Sequence, residues 1–485
     1  MSDSPLFTTA TNGYTLILGL GETGLAAAHW YLRQLLPVRL ADTRLSCQAA
    51  VDALSSQYEV AVIETVLGAE ALALSVLDSV QTIIISPGLA VTDSAMVALL
   101  AEAKVRHIRV VSEVELFAQA LADLSLTGYQ PKVLAVTGTN GKTTVTQMLK
   151  HMAAEAGLSV VAAGNISPAT ITALILALDT DSLPDIWVIE LSSFQLLHTF
   201  SLPVLAGVIL NLSQDHLDWH GGMAAYAEAK GQLYRMSQFA VFNRDDVQTT
   251  ALAESLTTAQ PTFSFGLEPA SSPRDLGVVE HQGQPWISTG TTPLLAVASL
   301  VIMGKHNLSN ALAALSLAQA AGIAWQPALS VLRSYYGEPH RCQFVRSIRG
   351  VDFINDSKGT NVGATVAAIE GLSRPLVLIL GGVAKGQDFT PVAAALAQRV
   401  CRAVFLIGQD APLIAEALAA TTIEVHTLER LDQAVMHSFA AALAGDIVLF
   451  SPACASLDMF SNYIQRGECF VEAVQELALD HGEVV

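Results

Sequence analysis

Short apolar runs followed by a polar or glycine-containing turn and then a helical pattern recur along the whole chain. The first run lies in YTLILGLGETGLAAAHWYL, where an apolar segment passes through Gly19 and Gly24 into a helical pattern. Apolar runs separated by helical segments are typical of buried parallel strands in α/β proteins. We therefore expect an α/β fold in which strands and helices alternate.

The apolar runs fall into three successive groups, and each group predicts one α/β domain. We expect a first, Rossmann-like domain over residues 1–112, a central parallel-sheet domain of the P-loop ATPase kind over 113–338, and a Rossmann-like C-terminal domain over 339–485. Residues 261–300 are rich in Pro, Gly and Ser and alternate over short stretches, which predicts a small group of β-strands. The segment GKHNLSNALAALSLAQAAG then returns to a helical pattern.

Composition supports a well-packed protein with large cores. The chain has 485 residues, of which 52% are hydrophobic and 14% charged, which indicates large cores rather than disorder. No stretch approaches the ~18 apolar residues of a membrane span, and the first residues lack the features of a secretory signal. The five cysteines form no CxxC pair, which suits reduced thiols. We expect a cytoplasmic monomer that does not insert into membranes.

The net charge of −19 argues against a general binder of nucleic acids or anionic membranes, since such proteins need basic surfaces. An anionic substrate would have to be held by a few local Lys and Arg side chains and by backbone N–H groups. We therefore expect small-molecule partners and no nucleic acid.

The first apolar run carries a possible dinucleotide-binding motif. Gly19-Leu-Gly-Glu-Thr-Gly24 follows a strand and opens a helix, and Asp42 ends the next strand about 20 residues later. A tight turn that packs the helix on the strand would give the same pattern. An NAD site is the usual functional interpretation, and a site for the diphosphate and ribose of a UDP-sugar is the other.

A second glycine loop, VTGTNGKTTV, resembles a phosphate loop but is shorter than usual. Only Thr139 and Asn140 separate Gly138 from the Gly-Lys pair, where about four residues are expected. Lys142 could nevertheless supply charge to phosphates, backbone N–H groups could line the anion, and Thr143 could reach Mg²⁺. The alternative is an ordinary glycine turn.

Polar residues follow two further apolar runs of the central group. Glu190 ends one strand, where it is either paired structurally or a metal ligand. In NLSQDHLDWH, the polar side chains belong either to a loop with helix caps, to a zinc site at His216 and His220, or to a Mg²⁺ site, which fits better beside a phosphate loop. The cluster comprises Asp215, His216, Asp218 and His220.

Three other polar positions have a plain surface interpretation when taken one at a time. Lys230 lies in the helical segment YAEAKGQLY, and most helix lysines are solvated. Arg341 in PHR and the segment INDSKGTN begin the third group and could also be surface residues.

Taken in order, these segments resemble the Mur ligases over nearly the full chain. The segments are GLGETG, TGTNGKTT, ELSSFQL, DHLD, AEAK, GKHNLSNALAA, PHR, NDSKGTN, GGVAKG and SPACASLDMF. The short glycine loop is similar to the ATP loop of these enzymes and of folylpolyglutamate synthases, so the resemblance implies an intact loop. NDSKGTN and SPACASLD resemble the members that add D-glutamate, and the DNPR-type motif of members that use diamino acids is not found.

The resemblance implies three sets of binding residues. The UDP-linked substrate would meet Glu22, Thr23, Asp42, Thr43, Arg44, Ser86 and Asn165. ATP would meet Gly138, Thr139, Asn140, Gly141, Lys142, Thr143, Thr144, Asn307, Asn310, Arg341 and Asp356. D-Glutamate would meet His216, Thr360, Lys385, Ser456 and Tyr463. Glu22 stands where the family has an apolar residue, and Tyr463 where it often has Phe.

The resemblance also implies the cofactors and the catalytic residues Lys142, His216 and Lys230. ATP would act with two Mg²⁺ ions, one at Thr143 and Glu190 and the other at His216 and N-carboxylated Lys230. The implied activity is ATP-dependent addition of D-glutamate to UDP-N-acetylmuramoyl-L-alanine through an acyl phosphate, a step in making the peptidoglycan cell wall.

Three alternatives to this activity remain. They are another Mur ligase, a ligase like folylpolyglutamate synthase, and a non-catalytic regulator that binds a UDP-sugar or NAD. A folylpolyglutamate synthase would lack the first GxGxxG domain. The presence of Lys142, Glu190, His216 and Lys230 speaks against a regulator.

Overall fold

A computed structural model describes residues 13–89, 93–257, 260–302 and 304–483. The N-terminal residues used above to argue against a secretory signal lie largely outside these ranges, and the side chain of Asp218 is likewise not described. Within the described residues, the strands form three sheets that follow one another along the chain. The expected α/β class and the order of three α/β units are confirmed.

The first sheet is entirely parallel, with strand order β3-β2-β1-β4-β5. Its strands are β1 (Tyr14–Leu18), β2 (Val38–Asp42), β3 (Ile63–Leu67), β4 (Val80–Ile85) and β5 (Arg109–Val111). The accompanying helices are α1 (Glu22–Leu32), α2 (Gln48–Gln57), α3 (Ser94–Val105) and α4 (Glu113–Ser125). This is the Rossmann-like arrangement that the first motif predicts.

The central sheet has strand order β14-β13-β12-β11-β10-β9-β6-β8-β7. Its first strands are β6 (Lys132–Thr137), β7 (Val160–Gly164), β8 (Ile186–Glu190), β9 (Val204–Ile209) and β10 (Ser237–Asn243). The helices are α5 (Lys142–Glu155), α6 (Thr170–Asp179), α7 (Ser193–Leu196), α8 (Leu217–His220), α9 (Met223–Met236), α10 (Val247–Leu256), α11 (Lys305–Ala320) and α12 (Trp325–Leu332).

The predicted strands of residues 261–300 are present, but they are an extension of the central sheet rather than a separate unit. These strands are β11 (Thr262–Phe265), β12 (Asp275–His281), β13 (Gln284–Thr289) and β14 (Thr292–Ala296). β11 and β12 continue the parallel pairing, and β13 and β14 follow as antiparallel neighbours. Strands β13 and β14 contain both exposed and buried positions, which suits an edge with one solvated face.

The third sheet has strand order β15-β16-β20-β17-β18-β19, parallel except for the edge pair β15–β16. Its strands are β15 (Gln343–Ile348), β16 (Val351–Asn355), β17 (Leu376–Gly381), β18 (Cys401–Ile407), β19 (Glu424–Thr427) and β20 (Ile447–Phe450). Its helices are α13 (Val362–Gly371), α14 (Thr390–Ala397), α15 (Ala411–Leu418), α16 (Leu431–Ala441) and α17 (Tyr463–Asp480).

Helix α4 joins the cores of the first two sheets. Phe117 of α4 is fully buried and packs edge-on against Trp187 of β8, with ring centroids 5.1 Å apart. The indole N–H of Trp187 donates to the hydroxyl of Tyr129, which donates in turn to the carbonyl of Pro184. One hydrophobic cluster spans both units, so the domain boundary expected near residue 112 stays a prediction. The domain boundary expected near residue 338 also stays a prediction.

Among the described helices, none combines the length and the apolar character needed to cross a lipid bilayer.

Glu113, the first residue of α4, is a buried carboxyl group in this shared core. Its Oε1 accepts hydrogen bonds from the hydroxyl of Thr170 at 2.7 Å and from the backbone N–H of Ile171. Its Oε2 has no hydrogen-bond partner among the described residues. Burial raises the pKa of Glu113 to about 7, the hydrogen bonds oppose this rise, and the charge of Glu22 adds to it.

Replacing Glu113 by Gln should flatten the pH dependence of stability. The unfolded carboxyl releases its proton near the usual pKa of 4.5, whereas the folded one keeps it up to about pH 7. Over this interval the folded state binds more protons, so wild-type stability falls as pH rises and levels off above about pH 7. In the wild type, the decrease in the free energy of unfolding that this carboxyl group causes should be on the order of a few kcal/mol.

Urea unfolding midpoints measured from about pH 4 to about pH 8 check this expectation. Glu102→Gln, which removes a partly exposed carboxylate of α3 that pairs with Arg106, is the control for loss of one acidic group. Parallel wild-type and Glu113→Gln profiles would contradict the assignment.

Candidate active site

The short glycine loop lies between the end of β6 and the first residue of α5. Gly141 has a left-handed backbone with φ of 85°, and a Cβ there would lie 2.3 Å from Oδ1 of Asn310 in α11. Both constraints require glycine at this position. The side chain of Asn211 braces the loop by accepting from the backbone N–H of Asn140 at 2.8 Å and donating to its carbonyl at 3.1 Å. The loop is therefore held in shape by its neighbours.

Lys142 begins α5 and points back over the loop. Its Nζ donates to the carbonyl oxygens of Gly138 at 2.9 Å and Thr139 at 2.8 Å. Desolvation lowers its pKa and the charges of Arg341 and Lys385 act in the same direction, whereas nearby carboxylates oppose this shift. The lysine is thus placed where a phosphate group in the loop would meet it.

Residues of the third α/β unit reach this loop directly. Arg341 donates through Nη2 to the hydroxyl of Thr143 at 2.6 Å. The side-chain amides of Asn140 and Asn361 bond each other reciprocally, at 3.3 and 3.1 Å. Lys385 contacts Oδ1 of Asp215 at 3.2 Å. The phosphate loop, Arg341, Asn361 and Lys385 therefore border one region between the central and C-terminal units, called the cleft.

Three other predicted ATP positions lie near the phosphate loop and Arg341. Asn310 of α11 donates to the Asn307 side chain at 3.4 Å. Asp356 follows β16 and accepts from the Ser451 hydroxyl at 2.6 Å and from the backbone N–H of Cys342 at 3.1 Å. Burial raises the pKa of Asp356 to about 6, although the hydrogen bonds and Arg341 oppose this shift. Asp356 thus holds loops of its own unit together.

Glu190 ends β8, directly beside the phosphate loop. The backbone of β8 pairs with β6, so that Glu190 lies opposite Val136. Its carboxylate is 1% exposed, Oε1 accepts from Nδ2 of Asn165 at 2.9 Å, and Oε2 has no partner among the described residues. A buried carboxylate oxygen without a protein donor fits a cation ligand better than a structural pair.

The Asp215–His216 pair lies on the side of the cleft that Lys385 reaches. The imidazole Nε2 of His216 is 3.7 Å from Oδ2 of Asp215, and its ring packs edge-on against Phe194. Burial raises the pKa of Asp215, but the charges of Lys385, His216 and Lys142 together hold it below its usual value.

The zinc alternative finds no support in this geometry. His220 Nε2 hydrogen bonds with the hydroxyl of Ser193 at 2.8 Å, and its ring stacks on Phe194. No group of three or more His, Cys, Asp or Glu side chains suited to a metal occurs within the described residues. Mg²⁺ commonly takes one or two carboxylates together with phosphate oxygens, and Glu190 fits that mode.

Lys230 of α9 is 1% exposed, so the interpretation as a solvated helix lysine is wrong. Its Nζ donates to the hydroxyl of Thr137 at 3.2 Å and to the carbonyl of Gly138 at 3.0 Å, and lies 4.8 Å from the centre of the Tyr226 ring. Burial and the neighbouring charge of Lys142 lower its pKa well below the usual value. The Lys230 amine therefore lies beneath the phosphate loop, with its pKa shifted in the direction that favours the neutral form.

Most of the predicted UDP residues lie around the first glycine loop. Asp42 accepts from the backbone N–H of Leu20 at 2.7 Å and from the guanidinium of Arg44 at 2.8 Å. Burial opposes ionisation of Asp42, but these donors hold its pKa well below the usual range. Because both oxygens already have donors, Asp42 is poorly suited to the free ribose acceptor expected of an NAD site.

The remaining UDP positions differ in how they are placed. Ser86 donates to the carbonyl of Gly19 at 2.8 Å and accepts from the Thr23 hydroxyl at 3.4 Å. Thr43, which follows Asp42 in the sequence, is exposed. Glu22 and Asn165 instead take part in contacts with the central unit, through Ser167 and Glu190 respectively.

The predicted D-glutamate residues come from loops at the carboxyl ends of adjacent parallel strands. Thr360 follows β16 and Ser456 follows β20, its neighbour in the sheet. Tyr463 opens α17, and the Nζ of Lys358 lies 3.8 Å from the centre of its ring. Lys385, which contacts Asp215, brings this group toward His216.

Two residues that the sequence analysis left without a role shape the site. Asn361 hydrogen bonds with Asn140. It lies in the segment NDSKGTN, which the family resemblance includes, but the sequence does not indicate its contact with Asn140. Arg466 is 1% exposed and donates to Ser357 and to the carbonyl of Cys454 at 3.0 Å, which ties two site loops together. It lies in a helical pattern with no local signal of this role.

Comparison with known proteins identifies all three units. Residues 13–112 match the family model described as Mur ligase MurD-like, N-terminal domain. Residues 136–318 match the Mur ligase middle domain, and residues 340–454 match the Mur ligase, glutamate ligase domain.

Relatives match over almost the entire chain. The UDP-N-acetylmuramoylalanine–D-glutamate ligase of Bordetella avium is 48% identical, with 97% of each chain covered. The enzyme of the same name from Ralstonia nicotianae is 45% identical, covering 98% of this chain and 99% of that one.

Solved structures share the fold at lower identity. UDP-N-acetylmuramate–alanine ligase of Thermotoga maritima gives a TM-score of 0.57 at 18% identity, covering 96% of this chain and 99% of that one. The MurF ligase of the same organism in complex with ADP gives 0.58 at 20% identity, covering 84% and 91%. On the family models and on the near full-length relatives, the chain belongs to the Mur ligase family.

Proposed function

We propose that this protein is an ATP-dependent ligase that joins D-glutamate to UDP-N-acetylmuramoyl-L-alanine in peptidoglycan precursor synthesis. The reaction is supported by relatives of that name at 45–48% identity over nearly their whole length. The observation that carries it in the structure is the single cleft in which the phosphate loop, the unpartnered Glu190 oxygen and the cations Arg341 and Lys385 converge.

The electrostatics of the cleft suit phosphoryl transfer to a carboxylate. The alanyl carboxylate attacks the γ-phosphate of ATP, which brings two anions together and releases ADP. Lys142 and Arg341 offset this crowding from the two sides of the loop, where desolvation strengthens their effect. The amine of D-glutamate then attacks the acyl phosphate, and phosphate leaves.

Glu190 and Thr143 are the residues we assign to a first Mg²⁺, and His216 with modified Lys230 to a second. The metal would supply charge stabilisation of phosphate oxygens when bound. Glu190 contributes its unpartnered oxygen, while Asn165 fixes the other. Lys230 as a bare ammonium would repel a cation, so its role as a ligand requires a carbamate formed from the neutral amine and CO₂.

D-Glutamate is assigned to the C-terminal side of the cleft. Lys385 is positioned to meet a carboxylate, and the Thr360 and Ser456 loops flank it. Contacts such as Arg341–Thr143 and Asn361–Asn140 bring this side onto the phosphate loop, which would exclude water from the acyl phosphate.

We further propose a cytoplasmic monomer. All five cysteines are free, which suits a reducing compartment, and the proposed substrates are small molecules.

D-Glutamate, and not L-glutamate, meso-diaminopimelate or L-lysine, should support phosphate release with ATP and UDP-N-acetylmuramoyl-L-alanine. The Lys385 ammonium favours a side-chain carboxylate over a side-chain amine, so the preference for D-glutamate over the diamino acids should exceed ~100-fold. Steady-state phosphate release across the four amino acids measures this. Turnover with a diamino acid and none with D-glutamate would reject the assignment in favour of another Mur ligase.

Lys142→Ala should abolish phosphoryl transfer while leaving affinity for the UDP-linked substrate within about three-fold. The two sites lie on different units and share no side chain, so their contributions should be nearly independent. Calorimetry with each ligand, together with phosphate release, separates the two effects. Loss of both affinities together would overturn the placement of the two ligands.

Lys230→Ala should lower activity by about 10²-fold or more, because the carbamate would be lost. A short carboxylic acid such as acetate should restore part of the activity by occupying the same space. Lys230→Arg, which retains positive charge but cannot form the carbamate, is the matched control and should not respond to acetate. Wild-type activity in Lys230→Ala would refute the carbamate.

A further inference from the structure

Glu22 places a negative charge at the first glycine loop, where the substrate diphosphate is expected to bind. The N-terminus of α1 is the predicted site of the substrate diphosphate, because helix N-termini favour anions. Glu22 is the first residue of this helix and places a carboxylate there. A carboxylate that faced the diphosphate would repel it, so its actual direction decides its role.

The structure turns this carboxylate away from its own helix and onto the central unit. Oε2 of Glu22 accepts from the hydroxyl of Ser167 at 2.8 Å, and Oε1 accepts from the backbone N–H of Ala169 at 3.1 Å. Ala169 is the N-cap residue of α6, and that helix has no side-chain cap of its own. Glu22 therefore caps a helix of the neighbouring unit, from the exposed side, while Glu113 binds the same helix end from the buried side.

The capped segment leads directly to Glu190. A turn is closed by the backbone N–H of Gly164, which donates to the carbonyl of Pro168 at 3.0 Å. Within that turn, the backbone N–H of Asn165 donates to the carbonyl of Glu190 at 2.8 Å, and Nδ2 of Asn165 donates to its Oε1 at 2.9 Å. The other oxygen of Glu190 is the unpartnered one.

We propose that Glu22 is a positioning residue that connects the docking of the UDP-substrate unit to the orientation of Glu190. The connection runs from Glu22 through Ser167 and Ala169 to Asn165, and it rests on the proposed function for the role of Glu190 as a cation ligand. Glu22 touches neither substrate nor metal. Its hydrogen bonds fix the turn, the turn fixes Asn165, and Asn165 fixes which Glu190 oxygen faces the cleft.

If Glu22 has this role, its loss should affect cation affinity but not affinity for the UDP-linked substrate. If Glu22 contacted the UDP group directly, its loss should lower affinity for the UDP-linked substrate. Loss of the Glu22 carboxylate frees the 165–169 turn, so Glu190 is held less firmly and cation affinity falls. The diphosphate end of α1 keeps all its backbone donors and loses a nearby negative charge, so affinity for the UDP-linked substrate does not fall.

The test compares Glu22→Leu, Ser167→Ala and the double variant with wild type. The affinity of the protein–ADP complex for Mn²⁺, measured by electron spin resonance, is the main readout because it needs no turnover. Calorimetry with UDP-N-acetylmuramoyl-L-alanine in the absence of nucleotide is the second. Glu102→Leu, which removes another carboxylate of the first unit whose ion-pair partner among the described residues is the nearby Arg106, is the matched control.

We expect Glu22→Leu to weaken Mn²⁺ binding about three- to ten-fold and Ser167→Ala to weaken it by a smaller factor. The double variant should match Glu22→Leu, since Glu22→Leu already removes the Ser167 contact together with the Ala169 contact. Affinity for the UDP-linked substrate should stay within about two-fold of wild type or rise, as expected from the lost negative charge.

Unchanged Mn²⁺ affinity in both single variants would overturn the proposal. So would a ten-fold loss of UDP-substrate affinity in Glu22→Leu with normal Mn²⁺ binding, which would make Glu22 a direct ligand. Ser167→Ala removes only a surface hydroxyl, so it keeps the test valid if Glu22→Leu folds poorly. Failure of wild type to use D-glutamate would reject the proposed function but leave the Mn²⁺ result readable.

Discussion

Desolvation of cationic side chains around the phosphate loop is the constraint on which the rest of the cleft depends. Lys230 is fully buried, Lys142 is partly buried, and desolvation lowers the pKa of both. Removing a cation from water is costly unless an anion or several acceptors compensate for it. For Lys142 the loop carbonyls and the nearby carboxylates compensate only partly, so a phosphate group is the ligand that this lysine favours. The glycine backbone and the Asn211 brace hold the loop that carries these carbonyls.

The sequence was sufficient for the fold class and for the parts of the site that lie on single loops. Apolar runs alternating with helical patterns predict the three sheets, and the phosphate loop follows from the order of strand, glycines, Lys142 and helix. These features are determined by residues close together in the sequence, so the sequence alone is enough to predict them. The sequence predicts that residues 262–296 form strands, but not that these strands extend the central sheet. Periodicity does not indicate which sheet a strand joins.

Features that depend on contacts between distant segments could not be obtained in this way. Lys230 looks like any helix lysine until α9 is packed against β9, and only then is its Nζ near Gly138. The role of Arg466 is likewise not visible in the sequence. Its guanidinium donates hydrogen bonds to two loops, at Ser357 and Cys454, that are distant from each other in the sequence. Glu22 was noticed because it departs from an expected apolar residue, but its partner Ser167 lies 145 positions away. The roles that the family resemblance assigns to individual residues remain predictions, which the geometry makes specific.

The reciprocal amide pair between Asn140 and Asn361 has a consequence for how the C-terminal unit responds to its surroundings. Amides carry no net charge, so the strength of this pair is insensitive to ionic strength, whereas charged contacts such as Lys385–Asp215 weaken where solvent ions reach them. The pair also requires one relative orientation of the two planar groups. Dilute and concentrated electrolytes should therefore change how tightly the C-terminal unit is held without changing the register in which it meets the phosphate loop.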